Sequence, residues 1–173
     1  MTFKQKLANY VLGNFTAKDL PDIAMTGINE GLESESLLIL AGFLKNENGH
    51  EILSYVKKAL FELNIELENK KEAAIEMLAY YSTEILESRL GIFQGLHIIY
   101  ESVLNNSYSS SESTFLPTDN LDFDKFSELY WEIEMCLDDA YIFENRKDLI
   151  LETEEKISKE LKNWLATKDD LLK

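Results

Sequence analysis

Few residues in this chain have the type and spacing for chemistry. It carries two histidines and one cysteine. Glu47-Asn48-Gly49-His50 has the spacing of half a di-iron site. Such a site needs two Glu-x-x-His pairs and two further Glu, all pointing into a helical bundle. The second histidine, His97, has Gln94 three residues before it, and Gly49 weakens a helix at the first pair. Sites built on three histidines fail on the count alone. No metal and no cofactor is therefore expected. His97 and Glu101 are i, i+4 neighbours that share one helix face. Together they could serve as a general base and its orienting group, in a pocket near a break at Gly91–Gly95. Against this, a histidine amid Leu96, Ile98 and Ile99 reads as a core residue with a satisfied hydrogen bond. Cys136 reads as a small buried hydrophobe. No G-x-S-x-G elbow is present, so no catalytic residue is assigned.

The strongest constellation is "ELYWEIEMCLDDAYIFE", Glu128 to Glu144. As a helix it turns Phe126, Tyr130, Ile133, Leu137 and Tyr141 inward. Glu128, Trp131, Met135 and Asp138 then follow at steps of three and four residues on a flanking face, with Glu132 and Asp139 beside them. An aromatic and a methionine within a field of carboxylates suit a Lys/Arg-rich protein partner, with an apolar anchor and a charged rim. The structural alternative packs Trp131 against a neighbouring loop or the last helix.

Charge supports the same partner class. The 173 residues hold 32 acids and 17 bases, a net charge of −15. From Glu112 to Glu144 ten acids face one base, Lys125. Such a chain repels phosphate backbones, which argues against nucleic acid. The plain reading of the same charge is a solvated face that keeps the protein soluble. No stretch reaches the roughly 18 apolar residues of a membrane span, and the N-terminus lacks the apolar core of a signal peptide. A single cysteine fits a reducing compartment, so a cytoplasmic location is expected. The oligomeric state is not legible.

The length suits one domain, residues 1–173. Apolar spacing is helical almost throughout. Phe3, Leu7, Tyr10 and Val11 share a face that ends at Gly13. Leu20, Ile23, Ala24, Gly27 and Ile28 form a stripe, with Asp19 placed to cap and Pro21 in the first turn. Gly31 falls where a helix stops in a left-handed residue. Ser34 is placed to cap the next helix, which carries Leu37, Leu38, Ala41 and Leu44. Further patterns run over about 51–63, 70–104, 123–144 and 147–167. The stretch "LGIFQGLHIIY" is apolar on several sides and is expected near the centre of the core. Residues 105–120, rich in serine, read as a surface loop. The fold expected is an all-α, single-domain irregular bundle of six or seven helices with an N-terminal helical hairpin.

Three of the chain's seven glycines lie in that hairpin. A phosphate loop would need a preceding strand and a different spacing, so they read as a tight turn and close helix packing. The run resembles a segment of uncharacterised bacterial all-helical proteins in which L-P-x-x-A precedes G-x-x-S/T-x-x-L-x-x-L-A-G. The matching residues are Leu20, Pro21, Ala24, Gly31, Ser34, Leu37, Leu40, Ala41 and Gly42, within about 25 residues. The resemblance implies a helical hairpin and a bacterial source, and carries no activity. As a small acidic helical protein the chain is also similar to some immunity proteins of bacterial toxin systems. The function expected is a non-enzymatic binding module, immunity- or inhibitor-like, for a basic partner. The alternative is a small-ligand binder or enzyme at His97 and Glu101.

Overall fold

The structure, a computed structural model, describes residues 1–44, 48–104, 124–137 and 145–172, with the backbone alone for 124–127, 169 and 172. The described residues are helical and contain no strand. Eight α-helices are present among them: α1 (Phe3–Val11), α2 (Leu20–Asn29), α3 (Glu35–Ala41), α4 (Gly49–Glu62), α5 (Lys70–Leu86), α6 (Ile92–Ile98), α7 (Asp124–Leu137) and α8 (Arg146–Thr167). A π-helical turn over Ile99–Leu104 continues α6. The count is one above expectation, partly because the apolar pattern over 70–104 breaks into α5 and α6. The chain divides into two compact units, Met1–Ala73 and Ala74–Lys173. The expected Ser-rich loop at 105–120 lies outside the described residues.

The first unit holds its helices by caps that cross between elements. Thr2 and Gln5 form a reciprocal capping box at the start of α1. The Glu30 carboxylate at the end of α2 accepts a further bond from Phe3 N–H at 2.8 Å. Lys6 donates to Thr26 Oγ1 at 2.7 Å, so α1 and α2 run antiparallel. Phe3 then lies against Gly27, where an added Cβ would stand 2.9 Å from its ring. That close approach explains a glycine inside α2, where glycine costs about 1 kcal/mol relative to alanine.

The corner between α2 and α3 is a Schellman motif. Leu32 N–H donates to Gly27 C=O and Gly31 N–H to Ile28 C=O. Gly31 takes φ +86°, the left-handed conformation its position demands. Ser34 Oγ then caps α3 by accepting from Leu37 N–H at 3.0 Å. Asp19 departs from expectation. Its carboxylate does not cap α2 but turns back to accept from Thr16 N–H and Oγ at 2.8 and 2.9 Å. Pro21, with no N–H to satisfy, occupies the first turn of α2. The core of this unit gathers Phe3, Leu7, Leu20, Ile23, Leu37, Leu40, Ile52, Val56 and Leu60. Burying each such aliphatic side chain contributes roughly 1.5–3 kcal/mol.

Glu62, at the last residue of α4, ties that helix to the start of α3. Its carboxylate accepts from Ser34 Oγ at 2.6 Å, Ser36 Oγ at 2.5 Å and Ser36 N–H at 3.0 Å. A carboxylate at a helix N-terminus also meets the positive end of the dipole. The Ser34 hydroxyl first, and then the Ser36 hydroxyl and amide, hold the Glu62 carboxyl below its ordinary pKa. A carboxyl lowered in the folded state contributes stability above its unfolded pKa and loses it as pH falls through the folded one. Glu62→Gln should therefore lower the melting temperature at neutral pH. The gap from wild type should close as pH falls below the ordinary carboxylate range. A pH-independent gap would show that the staple does not depend on charge.

Candidate functional site

The second unit positions both sets of residues singled out in the sequence. Its first device is the end of α5. Arg89 N–H donates to Glu84 C=O and Ser88 N–H to Ile85 C=O, a second Schellman closure. Here the left-handed residue is Ser88, at φ +58°. The Arg89 guanidinium also bonds Glu84 Oε1 at 2.7 and 2.9 Å and pairs with Glu87. The break thus spans residues 87–91, opening at Ser88 and including the expected Gly91 but not Gly95. Gly91 serves instead as the N-cap of α6. Gly95 lies buried inside α6 against the Ile85 side chain, so this glycine sets helix packing and not a pocket.

α6 and the π-helical turn are not buried on all sides, which corrects the sequence expectation. Leu96, Ile99, Val103 and Leu104 are buried, whereas Gln94, His97 and Glu101 are exposed. His97 is therefore no core histidine, though its hydrogen bond is satisfied. Its Nδ1 lies 2.9 Å from the Tyr130 hydroxyl. That hydroxyl in turn donates to Glu134 Oε1 at 3.3 Å. With a proton on Nδ1, His97 donates to the Tyr130 hydroxyl, which donates in turn to Glu134, one consistent chain of donors. Burial first, and then the Glu134 carboxylate, push the Tyr130 phenol above its ordinary pKa. The hydroxyl therefore stays protonated and acts as a structural link.

Tyr130 is also the centre of an aromatic cluster. Its ring stacks on Tyr100, with centroids 5.3 Å apart and planes at 10°. Phe93 stacks on it at 6.0 Å and 7°, and His97 at 6.2 Å and 27°. Offset pairs of this kind contribute about 0.5–1.5 kcal/mol each beyond their buried area. Trp131 approaches two of these rings edge-on, Tyr130 at 5.6 Å and Tyr100 at 6.0 Å.

α7 packs against both α6 and α8. Among its described side chains Tyr130, Ile133 and Cys136 are buried, at 4%, 1% and 2% exposure. The expected inward place of Leu137 is corrected: it is 46% exposed, with Cys136 taking the buried position. The side chain of Phe126, and Tyr141 as a whole, lie outside the described residues. On the opposite face Glu128 and Glu132 are exposed, Trp131 is 49% exposed and Met135 is 42% exposed. Asp138 and Asp139 also lie outside the described residues. The structure thus brings Glu128, Trp131, Glu132 and Met135 to one exposed face. On α8, Lys156 is held above its ordinary pKa first by Glu152, bonded at 3.0 Å, with a smaller contribution from Glu132.

Two residues of this site had no signal in the sequence. The helical stripe marks Tyr130 as an inward residue, not as the partner of His97 thirty-three positions away. Glu134 was not singled out. Among the described residues, no group of three or more His, Cys, Asp or Glu side chains is placed to hold a metal ion. Glu47, half of the Glu-x-x-His pair, is outside them. Also among the described residues, no helix is long and apolar enough to cross a membrane.

Fold and site define an all-α protein with an aromatic cluster that supports an exposed, acid-flanked helix face. No family model matches the chain, and no curated protein or solved structure is significantly similar to it. The arrangement at Tyr130 generates one expectation about stability. Tyr130→Phe keeps the stacking and removes only the hydroxyl between His97 and Glu134. It should cost about 1–2 kcal/mol, as the loss of two hydrogen bonds at a partly exposed site does. Denaturant unfolding checks this, and an unchanged midpoint would show that the hydroxyl carries no stability.

Proposed function

We propose that this protein is a non-enzymatic binding module for a basic protein partner, with an inhibitor- or immunity-like role. Its docking face is Glu128, Trp131, Glu132 and Met135 on α7, extended in sequence by Asp138 and Asp139. The observation that supports this reading is the combination of exposure and support at Trp131. The indole is half exposed, yet its edge contacts with Tyr100 and Tyr130 restrain it. An aromatic already restrained loses little freedom on binding, which suits an anchor. Carboxylates around it supply a rim that steers Lys/Arg-rich partners. The lone, buried Cys136 fits a reducing compartment, and a cytoplasmic setting belongs to the same proposal.

The reading at His97 and Glu101 has less support. His97 is engaged by Tyr130, and the clefts described in this unit are lined by other residues.

The test is an array of Lys/Arg-rich peptides screened against wild type, Trp131→Ala and Glu128→Lys/Glu132→Lys, with folding checked by circular dichroism. Wild type should select a subset of peptides, and binding should weaken steeply with added salt as the screening length shrinks. Trp131→Ala should cost on the order of 2 kcal/mol, or about thirtyfold, as anchors at the centre of an interface do. Charge reversal should abolish the selection. Equal binding by all three proteins would place the partner elsewhere or nowhere.

A further inference from the structure

The first unit contains a partly enclosed cleft of about 160 Å³. Phe3, Leu7, Ala8 and Val11 of α1 form one wall and residues 65–68 the other, with Lys4 at the rim. The surface turned into it is almost wholly apolar. All of these residues belong to one compact unit.

Both walls are held by contacts outside the cleft. Phe3 and Leu7 belong to the core cluster, and the Phe3 ring lies close against Gly27. The opposite segment is tied at its two ends. Asn64 takes the left-handed conformation at φ +54°, and Ile65 N–H donates back to Leu60 C=O at 2.9 Å, which closes α4. At the far end Glu68 Oε1 meets Lys4 Nζ at 3.1 Å. A segment pinned in this way spans the helix face instead of collapsing onto it. The cleft is therefore preformed, which lowers the cost of binding.

Volume and polarity decide the occupant. An apolar cavity of about 150 Å³ stays dry and takes up benzene. Sites for drug-sized ligands run to roughly 300–1,000 Å³, so this cleft has room for one six-membered ring or a compact branched alkyl group and no more. Its lining offers such a group no charge to pair with. Glu68 is engaged by Lys4 through Oε1, its Oε2 is out of reach of solvent, and Glu66 is exposed. An ion of either sign would give up hydration in the cleft and find no partner there. Water fares little better, and an apolar group that displaces poorly held water gains affinity.

We propose that this cleft binds a neutral, apolar small molecule of about one ring. The ring lies between Leu7 and Val11 on one side and Ile65 and Leu67 on the other. The site belongs to the first unit and the docking face on α7 to the second, so neither reading rests on the other.

The probes are toluene, benzylamine, benzoate and naphthalene, titrated into the full chain and followed by amide chemical shifts. Toluene should bind saturably, with shifts centred on α1 and residues 65–68. Benzylamine and benzoate share its ring but carry opposite charges, and both should bind at least about tenfold more weakly. Naphthalene is more hydrophobic but too large, and it should bind more weakly than toluene. Val11→Phe should abolish toluene binding by filling the cleft. Leu67→Ala removes part of one wall at a half-exposed position and should weaken toluene binding by roughly fivefold. This second variant decides the matter if Val11→Phe fails to fold. Absence of saturable toluene binding would overturn the proposal, as would toluene affinity unchanged by Leu67→Ala. Either ion binding as tightly as toluene, or naphthalene binding more tightly, would overturn it too.

Discussion

The burial of Tyr130 is the constraint on which the exposed face of α7 depends. Successive residues of an α-helix turn by about 100°. Once Tyr130, Ile133 and Cys136 face inward, Glu128, Trp131, Glu132 and Met135 have to face out. Stacking on Tyr100 and Phe93 holds the Tyr130 ring, and the bonds to His97 and Glu134 hold its hydroxyl. One side chain thereby fixes the rotation of the helix. It also places a restrained but exposed indole one residue further on. The exposure of Trp131 follows from packing beneath it, so it is not an accident of an isolated surface position.

The first unit solves a different problem with the same economy of contacts. Its helices are short, and isolated helices of such length are marginal in water. Their orphan backbone donors are met by side chains from other helices: Glu30 for Phe3, Glu62 for Ser36. Each of these bonds satisfies a helix end and also fixes the antiparallel pairing of two helices. Secondary and tertiary structure are therefore stabilised by the same groups. The cleft beside α1 is what remains where the segment at Ile65–Glu68 crosses an apolar helix face without filling the space.

Much of this was legible in the sequence, for local reasons. Spacing alone located α1, α2 and α4 and their buried faces. Gly31 announced its turn because glycine is the usual residue for a left-handed helix end, and Ser34 announced a cap. The equivalent turn at Ser88 carried no such signal, since serine rarely adopts that conformation. The break was accordingly expected at the nearby glycines. Glu62 lies 28 residues from Ser34 and 26 from Ser36, and Tyr130 lies 33 from His97, so those partnerships exist only through the fold. Asp19 shows the limit of local reasoning even at short range. It had two backbone ends within reach and turned to Thr16. The exposed face of α7 was legible because a helix has one phase, and Tyr130 and Ile133 set it. Leu137 was misassigned because Cys136, one residue earlier, takes the buried position after Ile133.

Trp131 stands as an accessible aromatic beside the exposed carboxylates Glu128 and Glu132. Fluorescence quenching tests this most directly. In a Trp164→Phe background only Trp131 emits, because the chain has two tryptophans and Trp164 is the buried one. Neutral acrylamide should then quench the emission efficiently. At low salt the cation caesium should quench more effectively, relative to its intrinsic strength, than the anion iodide. That difference should collapse when added salt shortens the screening length from about 10 Å toward 3 Å. An indole shielded from acrylamide, or one that iodide reaches as readily as caesium, would contradict the account.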